Sequence, residues 1–122
     1  MNDQRKKFKG IPYPEMIHRL PEIEIPIDGI RGWLLQSTKK QVVFFEIEPV
    51  GNMPDHSHCS QWGIVVDGEM ELTIGDQTKI YRKGDSYFIP AGVVHSANFP
   101  TKVMVIDVFD DSERYKTKSG VL

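Results

Sequence analysis

The sequence has one cysteine, no long apolar run and almost no excess of either charge. Cys59 cannot form an intramolecular disulfide, which favours a reducing cytoplasm as the compartment. No apolar stretch approaches the roughly 20 residues of a membrane-spanning helix, so we expect a soluble protein without a membrane partner. Lys and Arg number 15 against 17 Asp and Glu, which argues against a nucleic-acid-binding face. The start of the chain, Met1 to Lys9, is basic but lacks the apolar part of a secretory signal.

Short runs rich in Val, Ile, Phe and Tyr dominate the chain. The 10 glycines and 8 prolines fall between these runs, as turn residues do in all-β proteins. Asp67-Gly68 and Gly75-Asp76 have the composition of tight hairpin turns. Trp62 to Val66 is apolar on both faces, as expected for a strand that is covered on both sides. The pattern predicts an all-β fold, either a closed barrel or a double-sheet sandwich. The predicted strands are Gly32 to Ser37, Gln41 to Glu48, Trp62 to Val66, Glu69 to Ile74, Gln77 to Arg82, Ser86 to Ile89, Val94 to Asn98 and Lys102 to Phe109.

The 122 residues are enough for one domain and too few for two units that each bury a core. Within this domain we expect an N-terminal segment over residues 1–30, the barrel over residues 31–112 and a C-terminal tail over residues 113–122. We expect the larger apolar side chains to lie in the core by default. They are Trp33, Phe44, Met53, Trp62, Tyr87, Phe88, Phe99 and Met104.

The N-terminal segment contains one alternating stretch, Glu22 to Ile25, which is typical of a half-exposed outer strand. An uncovered strand edge in a small barrel is commonly protected by pairing with another chain. The sequence therefore predicts a homodimer.

The residues most suited to a chemical role in this chain are histidines. Residues two apart in a strand project from the same face, so His56 and His58 would point into one space. Gln61 follows closely with an amide oxygen that can bind a metal, and His95 lies on a separate predicted strand. Three imidazoles and an amide oxygen inside a small barrel would suit a divalent ion such as Zn, Ni, Fe, Mn or Cu. The alternative for His95 is a structural ring bonded to the backbone.

These residues resemble the two sequence motifs of the cupins. The first motif is present as Gly51, His56-Ser57-His58, Gln61 and Gly68, and Gln61 stands where the family pattern has glutamate. The second motif runs from Gly84 through Pro90-Ala91-Gly92 to His95 and matches every spacing of the family pattern as far as the histidine. The short separation of the two motifs is similar to that of small single-domain cupins.

The resemblance implies an all-β double-stranded β-helix, or jelly-roll, barrel that forms a single cupin domain. It also implies one mononuclear divalent metal ion with His56, His58, Gln61 and His95 as ligands. Cupins include dioxygenases, isomerases and lyases as well as non-enzymatic binders. A small-molecule binding or sensing module therefore stays the alternative to an enzyme. Because Gln61 is neutral, it leaves the full charge of a divalent ion in place, which favours an anionic small molecule.

Three further residues have weaker claims. Asp55 and Asp107 could assist as acid or base. We expect Cys59 to face away from His58 and to behave as a small buried hydrophobe.

Overall fold

The computed structural model of the chain describes residues 12–49 and 52–118. In this part the chain forms one short helix and nine strands, all paired antiparallel. The helix has 4 residues and is far too short to cross a membrane. The elements are α1 (Glu15–His18), β1 (Ile30–Gln36), β2 (Gln41–Ile47), β3 (Asn52–His56), β4 (Gln61–Asp67), β5 (Glu69–Ile74), β6 (Gln77–Arg82), β7 (Ser86–Ile89), β8 (His95–Asn98) and β9 (Val103–Phe109).

The strands form two sheets that pack together around one apolar core. One sheet has five strands in the order β1-β2-β9-β4-β7, and the other has four in the order β3-β8-β5-β6. Side chains of both sheets meet in the core: Val43, Val65 and Val105 come from the first sheet, and Leu72 and Ala97 from the second. This arrangement confirms the all-β jelly-roll barrel that the sequence predicted.

Most strand boundaries lie within two residues of the predicted ones, and β5, β6 and β7 coincide with them. The strand that the sequence did not predict is β3. Its residues are largely polar and include Pro54, and a bulge interrupts its pairing with β8 between Met53 and His56. A strand of this kind shows no apolar alternation, which is the signal used to find strands.

The two hairpin turns are confirmed by the backbone. Gly68 has φ 87° and Gly75 has φ 61°, in the left-handed region that favours glycine. At Gly68 a β-carbon would also collide with the carbonyl oxygen of Lys102.

The segment around Glu22 to Ile25 is extended, but it is not an uncovered edge. Glu22 bridges to Trp33 of β1 on one side, and Ile23 bridges to Thr117 on the other. The Glu24 N–H also donates to the carbonyl of Lys116 at 2.7 Å. The C-terminal residues of the same chain therefore cover the edge that was expected to pair with a second copy. The expectation of an uncovered edge at Glu22 to Ile25 is therefore wrong, and the homodimer that was inferred from it stays a prediction.

The described residues cover only part of the outer face of the five-stranded sheet. Tyr13, Trp33 and Met104 form a second apolar cluster there, beneath α1. Beyond it, Trp62 is 42% exposed and Phe88 56% exposed, so the expectation that these two lie in the core is wrong. Their strands are apolar on both faces, and the described part of the N-terminal segment packs elsewhere on the outer face, around Trp33 and Met104.

The uncovered part of that face carries one row of apolar residues, one from each strand in register. We call it the outer apolar row. Its members are Leu35, Val42, Val108, Trp62 and Phe88.

Candidate metal centre

The three predicted histidines meet at the end of β3. His56 is the last residue of β3 and pairs directly with His95, the first residue of β8. His58 lies just past the strand, where its carbonyl oxygen accepts a hydrogen bond from the Gly92 N–H at 2.9 Å. The two sequence motifs are therefore joined in space by strand pairing and by this backbone bond.

The imidazole rings are close enough to share one ion. Their centroids are 4.1 Å apart for His56 and His95, 4.7 Å for His58 and His95, and 5.2 Å for His56 and His58. One ligand atom from each ring lies within 4.8 Å of the other two. The Nε2 atoms of His58 and His95 are 3.1 Å apart, a separation that two nitrogens bound to one metal at about 2.1 Å would show.

Backbone carbonyls decide which ring nitrogens are free. Each Nδ1 lies 2.8 to 2.9 Å from a carbonyl oxygen: Pro54 for His56, Cys59 for His58 and Val93 for His95. A carbonyl only accepts, so each Nδ1 carries the proton and each Nε2 of a neutral ring keeps a lone pair. Metal-binding histidines typically show this outer hydrogen bond. The three histidines are thus positioned to hold a metal ion.

Burial keeps the rings in the form that binds metals. Burial, with a smaller contribution from the positive charge of Arg114, lowers the pKa of His58 to about 4. Burial also lowers the pKa of His95. These imidazoles are therefore neutral at pH 7, as metal ligation requires.

Gln61, the first residue of β4, reaches the same cavity from the opposite sheet. Its side chain is buried, and its Oε1 atom has no hydrogen-bond partner. The amide lies close enough to the carboxylate of Asp107 to lower the pKa of that carboxyl. A carboxylate accepts, so the amide NH₂ faces Asp107 and Oε1 faces away from it. A buried acceptor without a partner is costly, and a cation would satisfy it.

Asp107 is held in place by a row of three residues across neighbouring strands. Gly63 of β4 pairs with Asp107 of β9 on one side and with Tyr87 of β7 on the other. Because Gly63 has no side chain, the Tyr87 hydroxyl crosses above it and donates to Asp107 Oδ1 at 2.8 Å. A β-carbon on Gly63 would collide with both groups.

The Asp107 carboxyl is fully buried, and its burial raises its pKa to about 6. The hydrogen bonds from Tyr87 and Gln61 act in the opposite direction. Burial, followed by the charge of Asp107, also raises the pKa of the Tyr87 hydroxyl. The cavity thus has one carboxyl in its wall that can exchange a proton near neutral pH.

The cavity itself is small. It has a volume of about 70 Å³ and is lined mostly by apolar side chains, together with the three histidines, Gln61, Ser96, Asp107 and Arg114. Pockets for drug-sized ligands usually measure roughly 300 to 1,000 Å³. The cavity therefore suits an ion together with one end of a small ligand.

The other residues singled out in the sequence have different fates. Asp55 is exposed and does not line the cavity, whereas Asp107 does. Cys59 is half-buried, packs against the core and is not part of the histidine cluster. Arg114, which also lines the cavity, was missed because it was expected to belong to a C-terminal tail. Nothing in the sequence near Arg114 marks it as functional.

Together these features define a class: a small jelly-roll barrel with three convergent imidazoles and a free amide oxygen in its interior. A family profile described as a cupin domain matches residues 43–109, more than half of the chain. This chain belongs to the cupin family.

Relatives of known name agree with this assignment. An RmlC-like cupin from Shewanella frigidimarina matches with a TM-score of 0.72 and 27% identity, over 88% of this chain and 95% of that chain. H2HPP isomerase of Bacillus subtilis is 32% identical over 85 residues, which are 66% of this chain and 36% of the isomerase. Mannose-1-phosphate guanylyltransferase of Sinorhizobium fredii is 30% identical over 104 residues, which are 80% of this chain and 20% of that enzyme. The chain thus spans only about a third and a fifth of these two curated relatives.

Proposed function

We propose that this cupin holds one divalent transition-metal ion at His56, His58, Gln61 and His95 and acts through it on a small organic anion. The observation that carries the proposal is the set of inward-facing acceptors without a cation. Three Nε2 lone pairs and the orphaned Gln61 Oε1 line one cavity. In the described part of the chain, no hydrogen-bond donor is recorded for the Gln61 Oε1 atom.

The donor set fits a first-row divalent ion such as Zn, Ni, Fe, Mn or Cu. When bound, such an ion supplies Lewis acidity, and a redox metal also supplies oxygen chemistry. The neutral ligands leave the charge of the ion uncompensated, so a negatively charged ligand is favoured.

We propose proton transfer, and so an isomerase or lyase, as the reaction. Asp107 lies in the cavity wall with a pKa raised to about 6, close to the value useful for general acid–base catalysis at neutral pH. Tyr87 and Gln61 fix the position of its carboxyl. One relative, from Bacillus subtilis, is named as an isomerase, which supports this choice. A dioxygenase, or a binding or sensing module without turnover, is the competing outcome of the test.

The metal site is tested with histidine variants. His58→Ala and His95→Ala should each weaken metal binding about 100-fold or more, because each removes one ligand. His18→Ala is the matched control, since His18 packs on Trp33 with a centroid distance of 4.4 Å and is not in the cluster. Isothermal titration with Zn²⁺, Ni²⁺ and Co²⁺ measures the affinities on protein purified without a tag. Unchanged affinity in both cluster variants would contradict the assignment.

The reaction class is tested on the metal-loaded protein. Exchange of substrate protons with D₂O, without oxygen consumption, is expected for an isomerase or lyase. Oxygen uptake would identify a dioxygenase. Metal and anion binding without either activity would identify a binding module.

We also propose that the protein is a cytoplasmic homodimer. The outer apolar row is the surface that supports a second copy, because it leaves three large side chains exposed: Leu35, Trp62 and Phe88. The cytoplasmic location is supported by the single unpaired thiol of Cys59.

A further inference from the structure

We propose that Arg114 is the anion-binding residue of this site, and that it pairs with the carboxylate of a small organic acid entering through the groove beside Tyr115. The inference rests on the proposed function, because it names the substrate class for the same cavity. It assigns a role to a residue that lies outside both cupin motifs.

Arg114 lies where two spaces adjoin. It lines the 70 Å³ cavity with the histidines, and it also lines a groove of about 380 Å³. Tyr115 and Met53 line both spaces as well. These three side chains therefore lie between the groove and the cavity.

The guanidinium of Arg114 is held in place but is not neutralised. It lies 4.4 Å from the ring centroid of Tyr115 and 5.7 Å from that of Phe109. Its Nε is buried without a hydrogen-bond partner, and no described carboxylate lies within ion-pair distance of it. A buried N–H donor without a partner is costly, and an anion with two oxygens matches the fork of a guanidinium.

The charges around the groove and the cavity single out Arg114 as the cation available to an anion. The groove carries Glu24, Glu113 and Lys116 in addition, so its formal charges balance. In the cavity, Arg114 is the only Lys or Arg among the lining residues that the structure describes.

The sizes of the two spaces indicate how the acid would lie. The cavity has room for little more than a metal-binding end, whereas the groove is within the usual range for small-molecule pockets. A carboxylate at the junction would contact Arg114, while an adjacent oxygen of the same molecule reaches the histidines. Small 2-oxo or 2-hydroxy acids have this arrangement of oxygens.

The test compares pyruvate with pyruvamide, its uncharged analogue. Both are titrated into zinc-loaded wild type, Arg114→Gln, Arg114→Lys and the control Lys116→Gln, which removes a charge from the same groove. Arg114→Gln should weaken pyruvate binding about 10- to 100-fold, as expected for a lost charge-assisted pair, and pyruvamide binding less than about 3-fold. Arg114→Lys should retain part of the preference for pyruvate over pyruvamide, and Lys116→Gln should retain all of it. In wild type, the Arg114 Nε–H resonance should shift when pyruvate binds.

Three results would overturn the proposal. They are equal losses for pyruvate and pyruvamide in Arg114→Gln, the same loss in Lys116→Gln, and no pyruvate binding by wild type at about 10 mM. Zinc affinity should be the same in all four proteins. A failure of the metal site would instead appear as absent zinc binding in wild type. Circular dichroism checks that each variant is folded. If Arg114→Gln does not fold, the comparison of pyruvate with pyruvamide is made on Arg114→Lys.

Discussion

At the residue scale, the pairing of Gln61 with Asp107 explains why an amide suits position 61. The Gln61 amide lies beside a buried carboxylate, and its oxygen is left without a hydrogen-bond partner. A glutamate at this position, as in the usual family pattern, would place two buried carboxylates side by side. Like charges at that distance cannot both ionise without a large cost.

This argument predicts the outcome of an exchange between the two positions. Gln61→Glu should destabilise the metal-free protein by on the order of 3 kcal/mol, because the new carboxylate faces Asp107. In the double variant Gln61→Glu with Asp107→Asn, the new asparagine can donate to the new glutamate, so most of the loss should be recovered. Urea unfolding in the presence of a chelator measures the free energy of unfolding of wild type, the two single variants and the double variant.

The single variant Asp107→Asn is the control for this cycle. In this variant, rotating one of the two amides lets the NH₂ of one donate to the oxygen of the other. The loss of unfolding free energy in Asp107→Asn should therefore be small. If the two single effects simply add in the double variant, the side chains do not interact and Asp107 does not orient Gln61.

At the scale of single elements, β4 contributes to the site through Gly63, which has no side chain. Gly63 faces the interior between Asp107 and Tyr87, and its missing side chain is the space in which their hydrogen bond forms. The same strand carries Gln61 two residues earlier on the same face. One strand therefore supplies both a candidate ligand and the gap that secures its partner.

Gly63→Ala should therefore cost more than an ordinary glycine substitution in a strand. The added methyl group collides with the Asp107 carboxylate and the Tyr87 ring, both fixed in a close-packed interior. We expect a loss of unfolding free energy about 2 kcal/mol larger than for Gly32→Ala. At Gly32 the nearest atoms are side-chain ends of Val43 and Ile23, at 2.7 and 2.9 Å. Equal losses in chemical denaturation would show that the Gly63 gap is not needed.

The strand β3 shows the limit of periodicity as a guide. The histidine pair was expected to share a face because both residues would lie in one strand. In fact β3 ends at His56, and His58 follows it outside the strand. The rings still converge because Gly92 fixes the His58 backbone and His95 pairs with His56. The prediction of three histidines meeting was thus confirmed for a different physical reason.

At the scale of the whole molecule, the two faces of the five-stranded sheet are treated differently. The inner face builds the core and the cavity. The outer face is protected near α1, whereas the outer apolar row is left uncovered among the described residues. Exposed apolar area of this extent typically marks a contact surface.

A homodimer through this surface should dissociate when the row is made polar. We expect light scattering at micromolar concentration to give about twice the 14.0 kDa chain mass for wild type. The double variant Trp62→Lys with Phe88→Ser should give the mass of one chain, because charge on the row opposes its burial. Ile80→Lys is the control, since Ile80 is 38% exposed but lies on the other sheet. A monomeric wild type would reject the dimer, and a dimeric double variant would place its contact elsewhere.

The sequence alone was sufficient for the features that depend on local pattern. Turn glycines, most strand boundaries and the two histidine motifs can each be recognised within a short stretch of sequence. These features were enough to predict the fold and the histidine cluster. The tertiary structure decided what depends on distant pairing. It brought Tyr87 to Asp107 across Gly63, placed Arg114 beside the histidines, covered the edge at Glu22 with the C-terminal residues, and left Trp62 exposed. Each of these follows from which strand lies next to which, and a strand's own sequence does not specify its neighbours.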